Sequence, residues 1–148
     1  MVNVLIICAD NSVRSQIAEA YFTFYAKGKG LFFSAGLKPG EMSPYAVKVM
    51  AEDNIDLTEH SVKSIQAFRN VPFDQVITVC QTEDSTYLEQ LHFQHWHHIP
   101  VSAPSERHYS TEAEAMEAYR ITRDQLKRKV LRFIGQELSQ PEEQTSLS

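Results

Sequence analysis

The sequence predicts an α/β domain built on a parallel sheet, and three observations carry that expectation. Val2 to Cys8 (VNVLIIC) and Phe73 to Cys80 (FDQVITVC) are apolar, β-branched stretches, as strands buried on both faces of a parallel sheet are. Between them run segments whose apolar residues recur at helical spacing, first Ile17, Ala18, Tyr21, Phe22 and Tyr25. Near the end, Thr111 and Glu114 form a capping box ahead of a long amphipathic segment. Strands alternating with helices imply a parallel sheet with right-handed crossovers.

The elements follow in order. The helix after the first strand stops at Lys27-Gly28-Lys29-Gly30. Leu31 to Ser34 reads as a second strand ending at Ala35-Gly36, and Pro39-Gly40 marks a turn. Ser43-Pro44 opens a helix with proline at its first position, its apolar stripe being Ala46, Val47, Val49 and Met50. After the strand ending at Cys80 come a short helix around Tyr87 to Leu91 and a strand near His95 to Pro100. The last helix carries Met116, Tyr119, Leu126, Val130, Phe133 and Ile134 on one face. Lys127, Arg128 and Lys129 are expected near its C-terminal end, where the helix dipole favours cations. With 148 residues, 43% of them hydrophobic, the chain suits one domain with a real core. That domain is expected over residues 1–138, with a polar, disordered tail over 139–148.

Charge and composition exclude several function classes. A net charge of −5 argues against a nucleic-acid surface, which needs a basic patch. The apolar run Val4 to Ala9 is too short to span a bilayer, and no basic region precedes it. A cytoplasmic protein is expected, without a membrane partner and acting as a monomer. Cys8 and Cys80, the two cysteines present, make no disulfide framework; such thiols are either inert core residues or catalytic and redox groups. His92, His95, His97 and His98 surround Trp96, but alternation along a strand splits them between two faces. With no cysteine or carboxylate at ligand spacing, no metal site is expected.

The loop Cys8-Ala9-Asp10-Asn11-Ser12-Val13-Arg14-Ser15 links the first strand to the first helix, where open α/β sheets bind ligands. Backbone N–H groups curling into a helix N-terminus suit a tetrahedral oxyanion. Those donors and Arg14 would also favour a Cys8 thiolate, the form that attacks. Arg14 offers bidentate bonds to two substrate oxygens, and the Ser15 hydroxyl can assist departure of the thiolate at the next step.

The loop CADNSVRSQIAEA, Ser34-Ala35-Gly36, SPYAVKVMAEDNIDLTEH, VITVC and Tyr119-Arg-x-x-Arg-Asp124 together resemble the low-molecular-weight protein tyrosine phosphatase superfamily. The resemblance runs from Val2 to about Ile134, and Gln16 is closer to the thiol-dependent arsenate reductase branch, since the phosphatases usually place proline there. It implies a three-layer sandwich, a four-stranded parallel sheet flanked by helices on both faces. It implies also that Asn11 and Ser34 hold the loop in shape, though Asn11 alone reads equally as a turn residue. Lys63 falls where some relatives bind potassium with an Asp; its ammonium would stand in, interacting with Glu19 or Ser34.

Departures from the family pattern matter as much. Asp10 stands where glycine is usual; Asp tolerates a left-handed backbone, but its charge beside an oxyanion is adverse. Val13 replaces a frequent cysteine, a change of small consequence. No Asp-Pro pair exists to supply a general acid, the relevant prolines following Ile99 and Ala103; Glu106, His97 or His98 are the substitutes at hand. Cys80 matches the reductases' second redox cysteine, yet Gln81 to Tyr87 contains no third one.

Three readings stay open. The first is an arsenate reductase-like enzyme in which Cys8 attacks arsenate and Cys80 or an external thiol resolves the adduct. Glutathione with glutaredoxin, or thioredoxin, would be the reductant, with no tightly bound cofactor. The second is a phosphatase acting on phosphotyrosine or another phosphomonoester, and the third a catalytically impaired protein that binds phosphate or a similar oxyanion.

Overall fold

A computed structural model of the protein describes residues 1–81, 84–104 and 108–138; the expected tail over 139–148 lies outside them. Four parallel strands, β1 (Val2–Cys8), β2 (Gly30–Gly36), β3 (Pro72–Thr78) and β4 (His92–His98), lie in the order β2-β1-β3-β4. Val4 to Cys8 of central β1 are all buried, as its continuous apolar run requires.

Three α-helices, α1 (Arg14–Tyr25), α2 (Pro44–Glu52) and α3 (Glu112–Phe133), pack on one face of the sheet. There Val4, Ile6 and Ile77 of the strands meet Ile17, Met50, Leu126 and Val130 of the helices. Phe22 of α1 ties three elements together, stacking on Phe32 of β2 at 5.1 Å and meeting Phe133 of α3 edge-on at 5.7 Å. The opposite face also carries helices, though short ones. Two 3₁₀ helices, Ile65–Phe68 and Thr86–Gln90, cover Leu5, Ile7, Ala35, Phe73 and Val76. The second was expected as a short helix. The first was not, because four residues are too few to show a helical period.

Other differences are local. β4 begins at His92 and ends at His98, earlier than the sequence suggests, and Pro100, with no N–H to donate, cannot prolong the ladder. It is an edge strand, which explains its polar residues and the half-exposed Trp96. Lys127, Arg128 and Lys129 are not in the last turn. α3 runs on to Phe133 and continues as a π-helical turn over Ile134–Leu138, so the dipole argument applies to Arg132 instead. Lys127 pairs with Asp53 at 3.1 Å and lies 5.7 Å from the ring centres of both Tyr21 and Tyr25.

Charges on α2 and α3 clamp the two helices together. Arg120 holds both oxygens of Glu52, and Arg123 adds a 2.9 Å bond to Oε1. The hydrogen bonds from Arg120 lead in lowering the Glu52 pKa from 4.5 to about 2. A carboxyl depressed on folding stabilises above its unfolded value and loses that contribution as pH falls through its folded one. The urea midpoint of the parent should therefore fall between pH 4.5 and 2 more steeply than that of Glu52→Gln. Equal acid slopes would show that the clamp contributes nothing.

Candidate active site

The C-terminal end of β1 releases the chain into the loop at Cys8, and Gly36 at the end of β2 makes room for it. A Cβ on Gly36 would sit 2.6 Å from the Asp10 carbonyl carbon and 2.7 Å from the Asn11 nitrogen, so only glycine lets the two backbones touch. Further bonds close the loop from outside: Leu37 N–H donates to the Cys8 carbonyl, Lys38 N–H to Ala9, Gly40 N–H to Asp10 and Ser43 N–H to Ser12. α1 then starts with no side chain capping its first turn and no acidic residue in it. A helix N-terminus left in that state presents its N–H groups to an external anion.

Asn11, not Asp10, takes the left-handed conformation, with φ 59°. Asp10 keeps negative φ, and its Oδ1 accepts the Ser12 N–H at 3.1 Å. The expectation placed the unusual backbone at the unusual residue; the structure places it one residue later. Asparagine tolerates this region, and here its side chain is held by four partners.

Those partners fix the orientation of the amide beside Cys8. The Lys63 N–H can only donate, and it reaches Asn11 Oδ1 at 2.8 Å, which fixes the amide orientation. Asn11 Nδ2 therefore donates to Ser15 Oγ at 2.7 Å and to Ser34 Oγ at 2.9 Å. Ser34 passes its own proton to Glu19 Oε1 at 2.6 Å. The Ser15 hydroxyl lies 2.9 Å from Cys8 Sγ and is free to donate to the sulfur when it is ionised, and the Asn11 N–H points at the same sulfur from 3.3 Å. Two donors converge on a fully buried sulfur, a setting complementary to a thiolate.

The network continues into residues that sequence reasoning used only as markers or missed. Gln16 donates to Asn11 Oδ1 and to the Ser61 carbonyl, both at 2.9 Å, while its Oε1 meets His60 Nδ1 at 3.0 Å. His60 thus carries its proton on Nδ1, 3.6 Å from Glu19 Oε2. Gln16 is fully buried, and a polar residue beside Ile17 on the apolar stripe was the available signal. Nothing around His60 in the sequence announces its place. Lys63 contributes chiefly through its backbone, whose carbonyl also accepts the Gly36 N–H. Its ammonium bonds to the Ser61 carbonyl at 2.7 Å and stands 3.9 Å from Glu19.

Arg14 is buried, and its Nη1 donates to the Val101 carbonyl at 2.9 Å. That bond spans 87 residues of sequence and fixes the guanidinium while leaving its other N–H groups for a ligand. Val13 is packed in the core, Ser12 is buried, and Ala9 is exposed.

Cys80 is buried just past β3, beside β1, where Val79 N–H donates to the Ile7 carbonyl at 2.8 Å. Neither cysteine is in a disulfide, and both belong to one core cluster. The Tyr87 hydroxyl is bonded to Cys80; burial first, then the neighbouring sulfur, pushes the phenol well above its ordinary pKa. Of the candidate acids, His97 is bonded to Gln75 and stacks edge-on with Phe133, and His98 is bonded to Thr78; neither partner belongs to the Cys8–Ser15 loop. Glu106 lies outside the described residues. Among the described residues, no group of three His, Cys, Asp or Glu could hold a metal ion, and no helix is long and apolar enough to cross a membrane.

Comparison with known proteins agrees with this geometry. An arsenate reductase of Bacillus cereus is 39% identical over 79 residues, 53% of this chain and 59% of the relative. The match therefore spans about three-fifths of that relative's length. A solved arsenate reductase in a phosphate-binding state superimposes with TM-score 0.74 at 27% identity, covering 94% of this chain and all of that one. Another, in its oxidized state, gives TM-score 0.78 at 26% identity over 91% and 98% of the two chains. The family model for the low molecular weight phosphotyrosine protein phosphatases matches residues 3–144. With the strand-to-helix loop, its Cys8 and its Arg14 all in place, the chain belongs to that family.

Proposed function

We propose that this protein is a thiol-dependent arsenate reductase with Cys8 as its nucleophile. The observation that carries the reading is the Cys8 sulfur, held by Ser15 and the Asn11 N–H inside an uncapped loop that Arg14 closes. Arsenate sits on the loop amides and Arg14. The Cys8 thiolate attacks arsenic, one arsenate oxygen leaves as water after taking up protons, and a Cys8 sulfur–arsenic bond forms. A second thiolate then attacks the Cys8 sulfur. The sulfur–arsenic bond breaks with its electron pair on arsenic, releasing arsenite and leaving a disulfide on Cys8. If the second thiolate is external, one more external thiol frees Cys8; if it is Cys80, two external thiols or one dithiol reduce the Cys8–Cys80 disulfide, so each arsenate oxidises two external thiols in either case.

Cys80 supports this reading over simple hydrolysis: it lies in the same core cluster as Cys8, at the end of the adjoining strand. With no third cysteine in the chain, the last thiol must come from outside, as glutathione with glutaredoxin or as thioredoxin. The cycle needs the reducing conditions of a cytoplasm.

A phosphatase reading shares the first step, but a phosphocysteine then needs an acid for the leaving group, and positioned acids contribute on the order of a hundredfold or more. The test is arsenite release with each thiol system against aryl phosphate hydrolysis, for the parent and Cys80→Ser. Hydrolysis without arsenite release would overturn the reductase reading. Unchanged reduction by Cys80→Ser would leave the second step to the external thiol alone.

A third reading, an oxyanion binder with impaired turnover, draws on Asp10, whose carboxylate occupies the Ser12 N–H. A like charge at the site rim, about 4 Å from the anion, costs about 1 kcal/mol even at the dielectric of bulk water. Asp10→Asn keeps an acceptor for Ser12 and removes the charge, so phosphate should bind about fivefold more tightly in titration calorimetry. Equal affinity would mean that the carboxylate is screened by solvent.

A further inference from the structure

The cations of α3 fall into two groups. Arg120, Arg123 and Lys127 are paired with Glu52, Asp53 and other carboxylates. Arg128, Lys129 and Arg132 have no ion pair or hydrogen bond among the described residues. These three line one groove of about 380 Å³, and among the described residues no carboxylate lines it with them. In a chain of net charge −5, three unpaired cations around one hollow repel each other unless an anion joins them.

The other wall of the groove is the segment that serves the active site. Val101 lines it, takes the Val79 carbonyl with its N–H and holds Arg14 with its own carbonyl. Gln81, next to Cys80 in the chain, lines it too and donates to Ser102 at 3.3 Å. The groove therefore opens beside the residues that flank both Cys80 and Arg14, although none of its lining belongs to the oxyanion loop.

We propose that this groove binds the carboxylates of the external thiol that completes the cycle, a small thiol carrying negative charge. The inference rests on the reductase reading for its chemistry, which is the balanced sequence given above, and on the groove alone for its binding. Small-molecule sites run from roughly 300 to 1,000 Å³, and the groove is of that size. A protein partner would dock over an area of about 800 Å², far more than three side chains around a hollow. Ordinary solvated lysines and arginines on a helix face are the competing account, and binding measurements separate the two.

The probe is S-methylglutathione, which keeps both carboxylates of glutathione and has no thiol to react. It should bind the parent, weaken at least tenfold in Arg128→Ala/Arg132→Ala, and recover in Arg128→Lys/Arg132→Lys. In turnover, the KM for glutathione should rise by a similar factor in the alanine variant. The KM for uncharged dithiothreitol and the affinity for phosphate should stay unchanged. No binding to the parent, binding unaltered by the double substitution, or equal KM changes for both thiols would each overturn the proposal. So would an unchanged glutathione KM with a raised KM for a glutaredoxin, which would assign the surface to a protein. If none of the thiols supports arsenate reduction by the parent, the reductase reading fails, while the calorimetric arm still decides whether the groove holds the anion.

Discussion

Cys8→Ser protein is expected to bind phosphate about as the parent does and to release neither arsenite nor aryl alcohol above background. The substitution changes the attacking atom and little else. Serine keeps nearly the same shape, and the Ser15 hydroxyl and Asn11 N–H that face the sulfur find an oxygen to bond instead. A serine hydroxyl, however, stays protonated where a thiol ionises, and no base adjoins it to take the proton. Removing a nucleophile in a cooperating site costs on the order of ten-thousandfold or more in turnover. Arsenite release surviving in Cys8→Ser would remove Cys8 from the mechanism.

Asn11→Ala should be the most destabilising single change in the loop, lowering unfolding free energy by about 3 to 4 kcal/mol. Two costs add. Alanine at the left-handed φ of 59° is strained by roughly 1 kcal/mol. Losing the amide leaves the buried Lys63 N–H and Gln16 amide without their acceptor and Ser34 without its donor, at about 1 kcal/mol or more for each. Asn11→Gly removes the same bonds without the strain, so it should be about 1 kcal/mol more stable than the alanine variant. Urea unfolding of the three proteins measures both differences. Matching stabilities for alanine and parent would mean that the loop is held by its backbone bonds alone.

The two substitutions test different kinds of knowledge. The case for Cys8 as the proposed nucleophile was legible in one line of sequence: an apolar strand, five residues between Cys8 and Arg14, and a helix-period stripe after them. That Asn11 organises the loop was legible only through the resemblance. By itself it is an asparagine in a turn, and its neighbour Asp10, the visible oddity, drew the expectation of unusual backbone instead. The error has a physical source. Which residue of a loop takes positive φ depends on where the flanking strands pin it, and Gly36 and Gly40, from β2 and the turn after it, do the pinning.

The rest of the site shows the same division. Strand β1, the Thr111 cap and the proline-led α2 follow from local rules of burial period and backbone chemistry, and the chain obeys them within a residue or two. Partners far apart in the chain do not follow from such rules. Arg14 finds Val101, Gln16 finds His60 and Ser61, and Lys127 leaves its dipole role for Asp53. The sequence by itself determined the alternating fold, the candidate nucleophile and the place of the loop around it, because burial and turn chemistry act between chain neighbours. Only the tertiary structure decided how the Cys8 proton network is wired and which cations of α3 remain unpaired. Hydrogen-bond and charge partners are chosen by which surfaces pack together, and packing brings together residues that no local pattern relates.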